Sequence, residues 1–544
     1  MRPVTHFEVA ESQFLTTASC PQSAMHRFSF IAAALALIVL TCSAPSQAQD
    51  TSSQAIKLGD AQPFTFDLLV DRAKTMAAGP YLDGAAPRAE AVLEQIDYDA
   101  FGKITFRSER TLKVGETPIR LFHLQRYAKK PVGIHLIADG QSREVLFSPE
   151  FFDMPKDSPA KALPEDIGFA GFRVLEPGKE ADWMAFMGAA YFRTSGELNQ
   201  FGLSARALAV GTAMPDPEEF PRFTNFYFAP SEKGALVIHA LMDSPSVTGA
   251  VRFDVDRPSG VVMTINSRFF ARKGMERMGL APLTSMFWFS EYSRRNATDW
   301  RPEIHDSDGL AIWTGTGERL WRPLNNPPRV MTSSFLDRNV KGFGLAQRDR
   351  DFDHYQDDGV FYERRSTCWV EPIGDWGAGM VQLVEIPTDD EIYDNIVAYW
   401  LGEQPVTPGQ AVSLDYRLHW VKDEPYPAAS GYVYSSRTGA GGVPGQPRPP
   451  GVIKFVIDFD GGKLGDLGRE DGVEAIVSAS SGKVSGTYCL PVVGTKRWRA
   501  VFDLTPTSLD PVELRLFLQH EGIALTETWL SQYHPESVPN AGKK

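Results

Sequence analysis

Between residues 64 and 84 the apolar positions Phe66, Leu69, Val70, Ala73 and Ala77 recur at helical spacing and stop at Gly79-Pro80, which predicts one amphipathic helix. A second short helix is expected near 86–96. From about residue 102 the period changes. "ITFRSERTLKV", "IRLFHLQRY", "VGIHLIADG", "ALVIHALMDS", "AVRFDVDRP" and "VVMTINSRFF" are short alternating or apolar runs. Gly, Pro, Asp and Asn interrupt them roughly every ten residues, the pattern of an all-β sandwich or barrel. It continues through "MVQLVEIP" and "IVAYW", giving a first domain over 60–403. "QPVTPGQ" (404–410) reads as an interdomain turn, and "AVSLDYRLHWV" is expected to open a second β set. About seven strands there, with a Gly/Pro-rich loop at 435–451, predict an immunoglobulin-like sandwich over 410–535.

The composition narrows what such a fold could serve. A chain of 544 residues with 43% hydrophobic content can bury a large core without staples. A net charge of −13 argues against a nucleic-acid partner and against docking on anionic lipid, both of which need a basic face. A neutral polymer or small molecule remains open.

The segment "MHRFSFIAAALALIVLTCSAPSQAQD", starting at Met25, has a basic start, a short apolar run and a small-residue exit. It reads as a secretory signal cleaved after about Ala48, so residues 1–48 are assigned to an N-terminal extension and signal peptide. The apolar run is too short to span a bilayer, and no stable membrane anchor is expected. Maturation would leave Cys368 and Cys489, too few for a disulfide framework.

Familiar catalytic signatures are missing: there is no GxSxG, HExxH or P-loop lysine, and neither metal nor cofactor is expected. The density of polar and aromatic side chains between 284 and 400 is what stands out. "RPEIHDSDGL" carries Arg301, His305, Asp306 and Asp308; "RLWRPLNNP" adds Arg322 and Asn325; Tyr355, Tyr362 and Trp376 follow. In "EIPTDDEIYDNIVAYW" four carboxylates, Asp389, Asp390, Glu391 and Asp394, crowd the approach to an apolar strand. Each residue alone is explained by turns at strand ends. Together they suit a carbohydrate cleft, in which rings stack on sugar faces and planar polar groups grip hydroxyls. Glycoside cleavage needs two carboxyl groups, and Asp306 or Asp308 paired with Glu391 or Asp394 are the candidates that spacing leaves open.

The motifs "GFAGFRVL", "GLSARALAV", "RPEIHDSDGL", "RPLNNP", "KGFGLAQRDRDF", "VQLVEIPT" and "DNIVAYW", in this order, resemble the periplasmic glucan biosynthesis proteins of types G and D. "SSRTGAGG" and "DFDHYQD" are more similar to type D. The resemblance implies a large galactose-mutarotase-like β-sandwich followed by an immunoglobulin-like domain, in the periplasm. It implies β-1,2-glucan as partner and anomer-inverting glycoside hydrolase activity on it, with transglycosylation or a non-catalytic glucan-binding scaffold as alternatives. It puts the general acid at the Asp of "DNIV", Asp394, and the base-side carboxylate at the first Asp of "HDSDG", Asp306, with proton relay through a substrate hydroxyl and water. Glu391 is expected to support Asp394 by raising its pKa through like charge. Arg301, His305, Asp308, Arg322, Asn325, Tyr355, Tyr362 and Trp376 are expected to bind substrate. A homodimer in which the 435–451 loop covers the neighbour's cleft is an arrangement the resemblance encourages.

Overall fold

A computed structural model describes residues 56–82, 87–294, 297–443 and 445–536. The 1–48 extension and signal lie outside them. The predicted helix forms at Phe66–Ala78, with the Thr65 side chain accepting the Leu68 N–H (3.2 Å) as N-cap and Gly79 ending it. Leu69 and Ala73 are its buried face, laid on the sheet through Tyr227, Leu241 and Ala250. The second helix is one turn, Glu90–Leu93. Among the described residues no helix is long and apolar enough to cross a membrane.

Most of the remaining regular structure is strand. Among the described residues a sixteen-stranded and an eleven-stranded sheet hold most of the strands, and their inner faces share one core. Rings from the smaller sheet meet rings from the larger: Phe172 against Phe226 (5.0 Å), Phe186 against Phe253 (5.3 Å) and Phe192 against Trp420 (5.9 Å). Val261–Ala271 alternates strictly between buried and half-buried positions, as a strand with one covered face must. Met278–Ser285 is buried at every position, so it is covered on both faces.

The C-terminal strands build a second, smaller sandwich. Tyr432–Ala440, Ile453–Asp460, Trp498–Thr505 and Lys483–Pro491 form one sheet. Val512–His520 and Thr528–Tyr533 face it across a core of Phe455, Phe459, Phe502, Leu516 and Trp529. Two boundaries differ from the sequence reading. Ala411–Val421, expected to open this second unit, pairs with Val261–Ala271 and with Thr367–Pro372 inside the large sheet. Alternation marks a strand but not its partners. The expected 435–451 loop begins as strand: Tyr432–Ala440 stays paired with Ile453–Asp460 up to Ala440, and only the tip beyond it is turn. The small sandwich is also continuous with the large sheet, because Arg319–Pro323 runs parallel to Thr528–Tyr533.

Candidate functional site

Asp394 and Asp306 hang from the same two residues. Met278–Ser285 and Ile396–Gly402 are antiparallel, with Ser285 opposite Ile396, so the chain just before Ile396 lies level with residues 286–287. Asn395 fastens it there: its Oδ1 accepts the Phe287 N–H (2.8 Å), and its Nδ2 donates to the carbonyls of Phe287 and Ile386 (both 2.9 Å). Asp306 ends the short ribbon of Phe287–Phe289 and Ile304–His305, and its N–H donates to the Met286 carbonyl (2.8 Å). The hydroxyls of Ser285 and Ser307, 2.8 Å apart, tie the next residue to the same segment. Two carboxylates 88 positions apart are thus carried on adjoining backbone.

Two buried arginines serve the pair. Arg365 Nε lies 3.2 Å from Asp306 Oδ1. Arg193, on the Tyr191–Thr194 strand, feels the charge of Asp394 most and that of Asp306 as well. Burial pulls its guanidinium down to about 9, still cationic at neutral pH. Burial raises the Asp306 carboxyl above its ordinary range; Arg365, Arg193 and His305 oppose the rise, and Glu391 adds to it. A carboxylate held above its ordinary pKa is the better proton acceptor.

A family profile described as "Periplasmic glucan biosynthesis protein, MdoG" matches residues 64–533. The chain belongs to this family. It is 50% identical to glucans biosynthesis protein D 2 of Ralstonia nicotianae over 506 residues, 90% of this chain and 94% of that one. It is 43% identical to the probable glucans biosynthesis protein D of Shewanella oneidensis (92% and 94% covered). Against the glucans biosynthesis protein D of Stenotrophomonas maltophilia the identity is 45% (89% and 92% covered). These three relatives carry the type D name, in line with the resemblance of "SSRTGAGG" and "DFDHYQD".

On this family scaffold the acidic run before Ile396 divides its labour. Asp390 Oδ1 accepts the Ile392 N–H (3.2 Å) and shapes the turn. Glu391 is gripped at both oxygens by Arg301 (2.9 and 3.0 Å) and receives the Tyr362 hydroxyl at 2.5 Å. Arg301 also pairs with Asp357 (2.6 Å) and Asp299 (3.0 Å). Glu391, expected to raise the pKa of Asp394 through like charge, is held by Arg301 and Tyr362 and acts as a strut in this turn. Neighbouring carboxylates are visible in sequence; a guanidinium 90 residues upstream that neutralises one of them is not. Tyr362→Phe is expected to cost about 1.5–3 kcal/mol in urea unfolding, the range for a hydrogen bond to a charged group. An unchanged midpoint would show the strut to be idle.

His305 is buried under Phe287 and Tyr355, beside the pair but facing away from it. Gln347 donates through Nε2 to the Tyr355 hydroxyl and to the carbonyls of Tyr362 and His305, so its oxygen faces His305 Nδ1 (3.1 Å). His305 Nε2 faces Glu303 (3.1 Å) and Asp308 (3.6 Å). Burial pulls the imidazole down, but the hydrogen bond to Glu303 and the charge of Asp308 and Glu303 outweigh it and push it up to about 9. Asp308 accepts the N–H groups of Arg348 and Asp349 (2.7 Å to the latter) and so builds the turn after Gly342–Ala346. The side chains of His305, Asp308 and Tyr355 brace the floor under Asp306; their expected direct grip on substrate is not what these bonds provide.

Three expected sugar contacts fall elsewhere. Arg322 is buried, donating to Glu385 Oε2 (3.1 Å) and to the Pro323 carbonyl. Asn325 gives its N–H to Glu385 Oε1 (2.7 Å) and its Nδ2 to the Gln532 carbonyl (2.9 Å). These bonds join the two large sheets and the C-terminal strand. Trp376 lies ahead of Ala378–Glu385, at the end of that strand opposite the Asp394 turn, roughly 25 Å along it. There it packs on Trp400 and Tyr416 (both 6.1 Å) and donates to the Asp415 carbonyl (3.3 Å). In composition a tryptophan in a Gly-rich turn looks the same whether it stacks on sugar or closes a core. Sequence reasoning also missed Arg193, Arg365, Asn395 and Gln347. Of these only Asn395, adjoining Asp394, carried a local signal.

Proposed function

We propose that the protein cleaves the β-1,2-linked glucose backbone of periplasmic glucans with inversion at the anomeric carbon. Asp394 donates its proton to the departing glycosidic oxygen. Water attacks the anomeric carbon, and the proton it loses passes to Asp306 through a substrate hydroxyl. The bond from anomeric carbon to glycosidic oxygen breaks as the bond to the water oxygen forms, and each carboxyl returns to its starting state by exchange with solvent. The observation that carries this reading is the common anchorage of both carboxyl-bearing segments on Met286–Phe287, with Arg193 within electrostatic reach of both charges. Membership of a glucan biosynthesis family supports the substrate class.

The mature protein is to be incubated with linear β-1,2-glucan, the products separated by size, and the new reducing ends followed by NMR before mutarotation. Shorter chains with α-anomeric ends are expected. Rings or longer chains would indicate transglycosylation, and unaltered glucan would leave a scaffold. Asp306→Asn is expected to lower kcat by at least about 10²-fold, the lower bound for loss of a general base, with glucan binding retained. An unimpaired kcat in a folded Asp306→Asn protein would remove Asp306 from the mechanism.

A further inference from the structure

A second polar site lies behind His305. A cavity of about 650 Å³ opens between the 348–354 segment of the large unit and the Tyr432–Ala440 strand of the small sandwich. Glu303, Asp349 and His354 all line it, and each presents one ligand-type atom within 4.8 Å of the others. Glu303 is the deepest, with 5% of its side chain exposed. Its Oε2 is held by His305 Nε2 (3.1 Å), while Oε1 meets no hydrogen-bond donor among the described residues. Asp349 holds the His354 ring through Nδ1 at 2.5 Å and is itself fixed by the Asp351 N–H (3.0 Å). A carboxylate oxygen that faces the cavity, beside a carboxylate and an imidazole that orient each other, leaves a place for a cation.

Two of the arginines that line the cavity are committed elsewhere. Arg348 is taken up by Glu424 and Glu527, and Arg350 by the carbonyls of Glu363, Arg365 and Lys422. We propose that Glu303, Asp349 and His354 bind one divalent transition-metal ion of the Mn²⁺ or Zn²⁺ class. Two carboxylate oxygens and one imidazole nitrogen suit such ions better than Ca²⁺, which takes oxygen ligands alone. A Zn²⁺ ion sits about 2.0–2.2 Å from each donor, which puts tetrahedral donors roughly 3.4 Å apart. Donors already within 4.8 Å reach that spacing by small rotations of side chains. The ion would clamp the segment carrying His305 and Asp306 to the 348–357 segment, bracing the floor of the candidate catalytic pair. It takes no part in the proposed cleavage, so the site stands or falls apart from that reading.

The full chain without an affinity tag is to be stripped with chelator and titrated with ZnCl₂ and with MnCl₂ by calorimetry. One ion per chain is expected for at least one of the two salts. A rise in Tm of about 3 °C is expected at a hundredfold excess over Kd. Glu303→Gln and His354→Ala should each weaken binding by at least about 10–100-fold. His520→Ala, remote on the Val512–His520 strand, should bind as the parent does. His354 is half exposed, so its removal leaves the fold intact even where Glu303→Gln does not. Anomalous scattering from zinc-soaked crystals gives the position independently. Absence of saturable binding by either ion, or binding undiminished by His354→Ala, would overturn the proposal.

Discussion

Asp394→Asn is expected to lower glucan cleavage by about 10²–10⁴-fold while unfolding at the parent's temperature. The amide has the shape of the carboxylic acid but has no proton to give a departing sugar oxygen. The backbone that positions it depends on Asn395, whose three hydrogen bonds to Phe287 and Ile386 are untouched by the change. Asn395→Ala is the informative companion. It leaves the acid in place and removes its anchor, so both stability and rate should fall, stability by more than 1 kcal/mol because two carbonyls and one N–H lose their partner. If Asp394 were no more than a turn residue ahead of the Ile396–Gly402 strand, the pattern would invert: Asp394→Asn would melt early and turn over normally per folded molecule. Turnover and thermal unfolding measured on one preparation separate the two, and full turnover by a well-folded Asp394→Asn protein removes it as the acid.

The contrast between Asp394 and Glu391 shows which properties a linear sequence carries. The Phe66–Ala78 helix and the apolar run from Ile396 are local patterns, and each appears where the periodicity puts it. The acidic run was also visible, but the meaning of each carboxylate depends on partners supplied from afar. Arg301 converts Glu391 into a strut, and Arg193 and Arg365 convert a pair of aspartates into a charged constellation. Strand partnership is non-local in the same way. Ala411–Val421 has the alternation of an edge or a central strand, and only its pairing with Val261–Ala271 places it in the large sheet. The motifs "HDSDG" and "DNIV" single out Asp306 and Asp394 among carboxylates that composition could not rank. They said less about binding residues. An arginine or tryptophan in a motif does equal service in a core or in a cleft.

Arg322 makes that ambiguity measurable. Arg322→Met is expected to destabilise the protein by about 3–5 kcal/mol without weakening glucan binding by the molecules that remain folded. Arg322 and Glu385 are both buried, 2% and 0% of their side chains exposed, and they link Arg319–Pro323 of one large sheet to Ala378–Glu385 of the other. Burial already raises the Glu385 carboxyl above its ordinary range, and the Arg322 charge is the largest influence holding it down. Methionine fills much of the arginine's volume but offers no charge, so the carboxylate is left desolvated and unmatched. The sign of the pH dependence follows. A carboxyl whose folded pKa lies above its unfolded value favours the folded state when protonated, and that contribution is lost as pH rises through the folded pKa. In the variant the folded pKa climbs further, so its deficit against the parent should be largest in neutral and alkaline buffer and shrink as the pH falls toward the ordinary carboxylate range. Adding Glu385→Leu should recover most of the loss, since an apolar pair in place of a buried ion pair is often neutral or better. Chemical unfolding of the parent, both single variants and the double variant, at two pH values, tests this directly. A sugar-binding arginine would behave otherwise: the single variant would unfold with the parent, its KM for β-1,2-glucan would rise, and Glu385→Leu would restore nothing.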